Sequence, residues 1–369
     1  MTKAKSIWSP EQAWGEGLRG IRVSPSHNET AITLRGRPVS PTDSGSRPTA
    51  SRHRPRLIAA VAAGCAVLLI GAYLLLAAHG QGSTRHGQHE GLVIAGESGI
   101  PASVSPPHAI PGRPHRVHFY SRALGRIADY LVYLPADYTP SRRLPVFYGL
   151  HGMPGRPLAF TAHADIEPQM EKLIRQGRVP PMILVFPDGR IDGRTATDSE
   201  WANTPSGRFE SYVVDVVHDV DHRFATLPHR QDRVIAGLSA GAYGAANVGL
   251  HQLRLFGSIQ VWSGYFIETH DGVFAHAAPA QMAFNSPIDY LHRLRRALKR
   301  YPLRIFIYIG HHDESRPQTA PMAAALKAEG AHVGWAIYPG GHSWQLWSAH
   351  LDQMLVMAGY GFRHPLARR

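Results

Sequence analysis

Within sixteen residues the chain changes from strand to helix through one pentapeptide. Residues 232–236, Asp-Arg-Val-Ile-Ala, suit a buried strand, and residues 242–247, Ala-Tyr-Gly-Ala-Ala-Asn, are small and helix-compatible. Gly237-Leu238-Ser239-Ala240-Gly241 joins them. A G-x-S-x-G turn between strand and helix is too tight for bulky neighbours, and it lifts the serine hydroxyl above the sheet edge. The following amide, that of Ala240, would then lie at a helix N-terminus, where negative oxygen is stabilised. The same letters also arise by chance in plain βα turns, so the downstream sequence has to decide.

A serine hydroxyl near neutral pH needs a base, and the base needs an orienting acid. On this scaffold they follow in the order Ser, acid, His. Residues 304–310, Arg-Ile-Phe-Ile-Tyr-Ile-Gly, read as a buried strand that ends in His311-His312-Asp313-Glu314. Asp313 is the expected acid, with Glu314 beside it as the rival. Residues 319–329 are helix-compatible with Gly330 as the C-cap, and 332–338 read as the last strand. Pro339-Gly340-Gly341 then delivers His342, the expected base among the chain's 23 histidines. His311 and His312 have no further Cys, His or carboxylate at ligand spacing, so they are read as loop residues and no metal is expected.

Upstream, residues 144–150 read as a central strand running into His151-Gly152-Met153-Pro154-Gly155. A His-Gly turn after the third strand places a backbone N–H opposite the one that follows the serine. The expected oxyanion donors are the amides of Met153 and Ala240.

From about residue 115 to 362 the chain resembles the putative esterase (esterase D-like) family of α/β-hydrolases. Feruloyl, acetylxylan and enterochelin esterases and the mycobacterial mycolyltransferases are members. The likeness lies in residues 146–155, 180–189, 209–215, 233–244, 262–266 and 339–344, with Trp347. It implies an α/β-hydrolase fold, a mostly parallel central sheet flanked by helices. It further implies Ser239 as nucleophile, His342 as general base, Asp313 as acid, and Met153 and Ala240 as oxyanion amides. Ala242 stands where a second glycine commonly follows the turn, and Val216 and Val217 lie where many members carry an acid. The expected activity is ester hydrolysis without a cofactor. Acyl transfer to a sugar or lipid hydroxyl is the alternative, and a non-catalytic surface-binding role is the third reading. His151, Phe266 and Trp344 are expected to border the substrate pocket. Phe274, Met282 and Phe284 either join them or fill local core.

A hydrolase domain over 115–369 leaves a long N-terminal extension. Residues 57–78 carry no charge and would extend about 33 Å as a helix, enough to cross a bilayer. Arg47, Arg52, Arg54 and Arg56 precede them, and Arg85 is the first charge after. Positive-inside bias then predicts a cytoplasmic N-terminus and an extracytoplasmic catalytic domain. Secretion after cleavage is the alternative, disfavoured by a 56-residue approach to the apolar run. Residues 1–56 read as a disordered basic tail, with ten Lys and Arg against four Asp and Glu, or +6 of the chain's +12. Residues 79–114 read as a Gly/Pro/His/Ser linker. The single cysteine, Cys65, excludes an intrachain disulfide. No basic stripe interleaved with aromatics appears in the hydrolase region, so nucleic acid is not an expected partner; an ester substrate and the membrane are.

Within the domain, residues 116–134 read as an opening hairpin turning near Gly125. Ser286 and Pro287 read as the start of a helix through Leu291, Leu294 and Leu298.

Overall fold

The structure, a computed structural model, describes residues 110–193 and 198–367. The expected tail, span and most of the linker lie outside these residues. No helix among the described residues is long and apolar enough to cross a membrane.

Eight strands make one sheet: β1 (Pro114–Ser121), β2 (Arg126–Tyr133), β3 (Val146–Leu150), β4 (Ile183–Pro187), β5 (Arg233–Leu238), β6 (Ser258–Trp262), β7 (Arg304–Gly310) and β8 (His332–Tyr338). Their order is β1-β2-β4-β3-β5-β6-β7-β8. β2 runs antiparallel to both β1 and β4, and every other pairing is parallel. The opening hairpin turns at Gly125, whose φ of 64° lies in the left-handed region that glycine reaches at little cost. The helices are α1 (Ala159–Ala164), α2 (Ile166–Arg175), α3 (Phe209–Arg223), α4 (Ala240–His251), α5 (Pro279–Asn285), α6 (Pro287–Tyr290), α7 (Arg295–Arg300), α8 (Arg316–Ala328) and α9 (Trp344–Arg363).

Two apolar layers follow from the two-residue period of the strands. Along β5, Val234, Ala236 and Leu238 join one layer, which contains α1, α2 and α9, while Ile235 faces the other with α3, α4 and α8. β3 divides in the same way: Phe147 goes to the first layer, and Val146, Tyr148 and Leu150 to the second. Strands buried on both faces read as continuous apolar runs, which is why β3, β5 and β7 are visible in the sequence. Each large apolar side chain so buried contributes about 1.5–3 kcal/mol.

The run expected as one helix from Ser286 is broken. It forms α6, a 3-10 turn at Leu291–Arg293, and α7. Arg293, Arg296 and Arg300 are spaced three and four apart, where like charges oppose a single helix. Ser286 does not cap with its side chain, because its Oγ accepts the Glu268 amide at 3.0 Å.

Two carboxyls are buried where the segment after β6 covers the sheet. The Tyr265 hydroxyl donates to Glu200, and the Tyr265 ring stacks on Tyr243 with centroids 5.1 Å apart. Burial, reinforced by Asp198 and Asp271 against the Tyr265 hydrogen bond, pushes Glu200 up to about 7. Burial, reinforced by Glu200, pushes Glu268 up to about 8. The folded protein therefore holds protons that the unfolded chain has released near the ordinary value of 4.5. Linkage makes the stabilisation complete below that value and erodes it as pH rises through the folded values. The contribution of these two carboxyls to stability is expected to fall between about pH 5 and about pH 8. Urea midpoints across that range should show a flatter fall in Glu200→Gln/Glu268→Gln than in the native chain.

Candidate active site

The carboxyl ends of β3, β5, β6, β7 and β8 converge on one side of the sheet, where open α/β sheets place their ligands. β5 ends at Leu238, and Ser239 follows with φ 57° and ψ −127°, a region that few non-glycine residues enter. Close packing holds it there. A Cβ on Gly237 would lie 2.0 Å from the Gly241 carbonyl oxygen, and one on Gly241 would lie 2.1 Å from that of Leu150. The Ser239 amide donates to the Trp262 carbonyl at 3.1 Å, tying the turn to β6. α4 begins at Ala240, so the Ala240 amide belongs to a helix N-terminus, as the sequence predicts. Gly152 lies close enough that a Cβ on it would meet the Ser239 Cβ at 2.8 Å. The Met153 amide therefore follows a residue packed against the serine, and the Met153 side chain is exposed.

His342 Nε2 is 2.8 Å from Ser239 Oγ, and His342 Nδ1 is 2.8 Å from Asp313 Oδ2. An ionised Asp313 accepts the Nδ1 proton, which leaves Nε2 as acceptor for the serine hydroxyl. Two backbone bonds join the loops that carry acid and base: His311 N–H to Tyr338 O at 2.8 Å, and His312 N–H to Gly340 O at 2.9 Å. The side chain of Asp313 is 1% exposed and that of His342 41%, so the acid is sealed while the imidazole is open to a reactant. Burial raises Asp313, but the hydrogen bond and charge of His342, the Ser315 amide and the Ser263 hydroxyl outweigh it and hold the carboxyl below its usual range. Glu314, the rival acid, points to solvent. Serine, imidazole and carboxylate so linked can activate a hydroxyl toward a carbonyl carbon. Among the described residues, no group of three or more His, Cys, Asp or Glu is placed to hold a metal.

Two expected pocket residues are corrected. His151 is fully buried, and its Nε2 accepts the Gly189 amide at 3.0 Å. Its Nδ1 is then the donor, to the Gly152 carbonyl at 3.0 Å, while its own carbonyl accepts Trp201 Nε1–H at 3.1 Å. Both ring nitrogens are committed to bracing the turn before Met153. Phe266 is 1% exposed and packs in the apolar layer with Leu291 and Met322, because its backbone is pinned by Gln318 and by Ile288. Phe274 is likewise buried. Trp344 is partly open on the first turn of α9, against His163 at 4.7 Å and edge-to-face with Phe160 at 6.1 Å.

The family model described as "Putative esterase" matches residues 121–358. A curated relative, the endo-1,4-beta-xylanase/feruloyl esterase of Xylanibacter ruminicola, is 24% identical over 259 residues, 66% of this chain and 31% of its own length. The chain thus spans about a third of that relative. Among solved structures, a ferulic acid esterase superposes with a TM-score of 0.61 at 22% identity, covering 68% of this chain and 98% of the other. An S-formylglutathione hydrolase from Staphylococcus aureus gives 0.56 at 18% identity, with 67% and 98% covered. At these identities the structural likeness is one of fold.

Ser263 is a further residue of the site that carries no functional signal in the sequence. It follows β6 as Ser239 follows β5, and it shares the same φ of 57°. It is fully buried, and its amide donates to Tyr308 O at 2.8 Å. Its Oγ accepts Trp347 Nε1–H at 3.1 Å. An indole only donates, so the Ser263 proton is free to turn toward Asp313, which it helps to hold low. The Trp347 ring also stands edge-on to His342 at 5.2 Å. Ser263 is a positioning residue by this geometry. Ser263→Ala is expected to lower kcat about tenfold with KM unchanged, and to move the acid limb of kcat/KM upward as the under-solvated carboxylate pulls harder on the imidazolium. A merely structural role would leave that limb in place.

Proposed function

This chain belongs to the family described as "Putative esterase", and we propose that it is a serine carboxylester hydrolase working through Ser239, His342 and Asp313. The observation that carries the proposal is the continuous hydrogen-bonded line from Ser239 Oγ through both nitrogens of His342 to Asp313, 2.8 Å at each step. Ser239 Oγ attacks the ester carbonyl as its proton passes to His342 Nε2. The oxyanion forms between the amides of Met153 and Ala240, the latter backed by the positive end of α4. His342 returns the proton to the departing alcohol, leaving Ser239 acylated. Water then attacks the acyl carbon as its proton passes to His342, and His342 hands that proton to Ser239 Oγ as the acyl–oxygen bond breaks and the acid departs. Asp313 holds the tautomer and balances the transient imidazolium without taking its proton.

The proposal extends to placement. Residues 57–78 serve as the membrane span, with the basic tail cytoplasmic and the catalytic domain outside. The relatives named for ferulic acid and S-formylglutathione differ widely in acyl group, so the acyl group here is a matter for experiment. The half-open ring of Trp344, edge-to-face with the Trp347 that stands against the base, favours a flat or apolar group on that side.

The test is fluorophosphonate labelling of the full chain and of Ser239→Ala, run with p-nitrophenyl esters of increasing length and methyl ferulate. Labelling and turnover are expected in the native chain. In the variant labelling should vanish and kcat should fall by about three orders of magnitude or more. Turnover retained by a folded Ser239→Ala chain contradicts the assignment.

A further inference from the structure

The side of the sheet opposite this site gathers positive charge. β5, β6 and β7 carry Ser239, Ser263 and the Asp313 loop at their carboxyl ends. Their amino ends, about 20 Å away at strand spacing, are drawn together by Arg230. Its guanidinium donates to the carbonyls of Leu253, Phe256 and Pro302 at 2.6, 2.8 and 2.8 Å. Tyr301 lies there with three guanidinium groups around its ring, Arg300 at 5.5 Å, Arg254 at 5.8 Å and Arg230 at 5.9 Å. The adjoining residues 291–304 include six Lys and Arg and no acidic residue. Arg254, Arg293, Arg296, Lys299 and Arg300 are all exposed. Of the α7 cations only Arg295 pairs with a carboxylate among the described residues, Glu329 at 2.9 Å.

A charge run on a helix is ordinarily a solvated face balanced by partners three or four residues away. Around Arg296, Lys299 and Arg300 those neighbours include no acid, and the fold brings Arg254 to the same place from a different connection. Concentrating cations in this way costs self-repulsion, which an anionic partner relieves. The patch is made of exposed side chains, which suits an array of headgroups more than one bound molecule. β1 also begins at the amino-end side of the sheet, so the chain enters the described domain on that side.

We propose that this basic face docks on an anionic lipid surface and turns the catalytic side away from it. The proposal rests on the tethered reading only for bringing the domain to a bilayer, and it is independent of the hydrolase assignment. Lys and Arg near such a surface contribute roughly a fivefold factor each, falling with salt.

The experiment is amide hydrogen exchange on the full chain reconstituted in phosphatidylglycerol-containing or pure phosphatidylcholine vesicles, at low and high salt. Residues 291–304 should be protected on the anionic vesicles only, and the protection should disappear at high salt. Arg296→Glu/Lys299→Glu/Arg300→Glu should abolish it, a loss of about a hundredfold or more in surface affinity. Fluorophosphonate labelling of Ser239 in that variant should match the native chain and so reports its folding separately. If the reversal variant fails to label, Arg296→Gln/Lys299→Gln/Arg300→Gln takes its place and should show the same loss. Equal exchange on both vesicle types overturns the proposal, as does protection by soluble polyphosphate without protection by anionic vesicles.

Discussion

Everything at the catalytic side depends on how closely three pieces of backbone approach one another at the end of β5. The turn at Gly237–Gly241 lies against the carbonyl of Leu150, with no room for a Cβ on either glycine. This contact brings the loop after β3 to the serine, starts α4 at Ala240 and fixes Ser239 in left-handed backbone space. A strained residue persists only where its surroundings over-determine it. Here the surroundings are the ladder bond to Trp262, the buried α4 and the turn braced by His151.

The sheet also explains why acid and base meet. Ser239, Asp313 and His342 leave three different strands, β5, β7 and β8, all parallel and all ending on one side. Parallel register turns a long separation in sequence into hydrogen-bond contact. The same register puts the amino ends of those strands together, and the connections that lead into β5, β6 and β7 carry the arginines around Tyr301. The described domain is therefore two-sided: the linked Ser239, His342 and Asp313 on one side of the sheet and a cationic face on the other.

The central strands, the elbow and the order of Ser, acid and His are legible in the sequence because each depends on local pattern: buried β-branched runs, glycine spacing and loop position. What depends on packing is not. His151 reads as a site residue because it adjoins the oxyanion turn, yet its ring is used up by two backbone groups. Phe266 reads as a pocket wall, but bonds from distant residues turn it into the core. The helix expected from Ser286 to Leu298 has the right apolar spacing, and like charges on its other face oppose continuity. Ser263 carries no local signal beyond following a strand, since its role comes from Trp347, 84 residues away.

A serine nucleophile commits catalysis to a covalent intermediate, which rapid-quench mass spectrometry of the full chain with a p-nitrophenyl ester would detect. An acyl adduct is expected on the peptide containing Ser239, formed in the first turnover with a burst of p-nitrophenol and decaying as free acid appears. Turnover with no adduct at any time, or with the adduct on another residue, would contradict it.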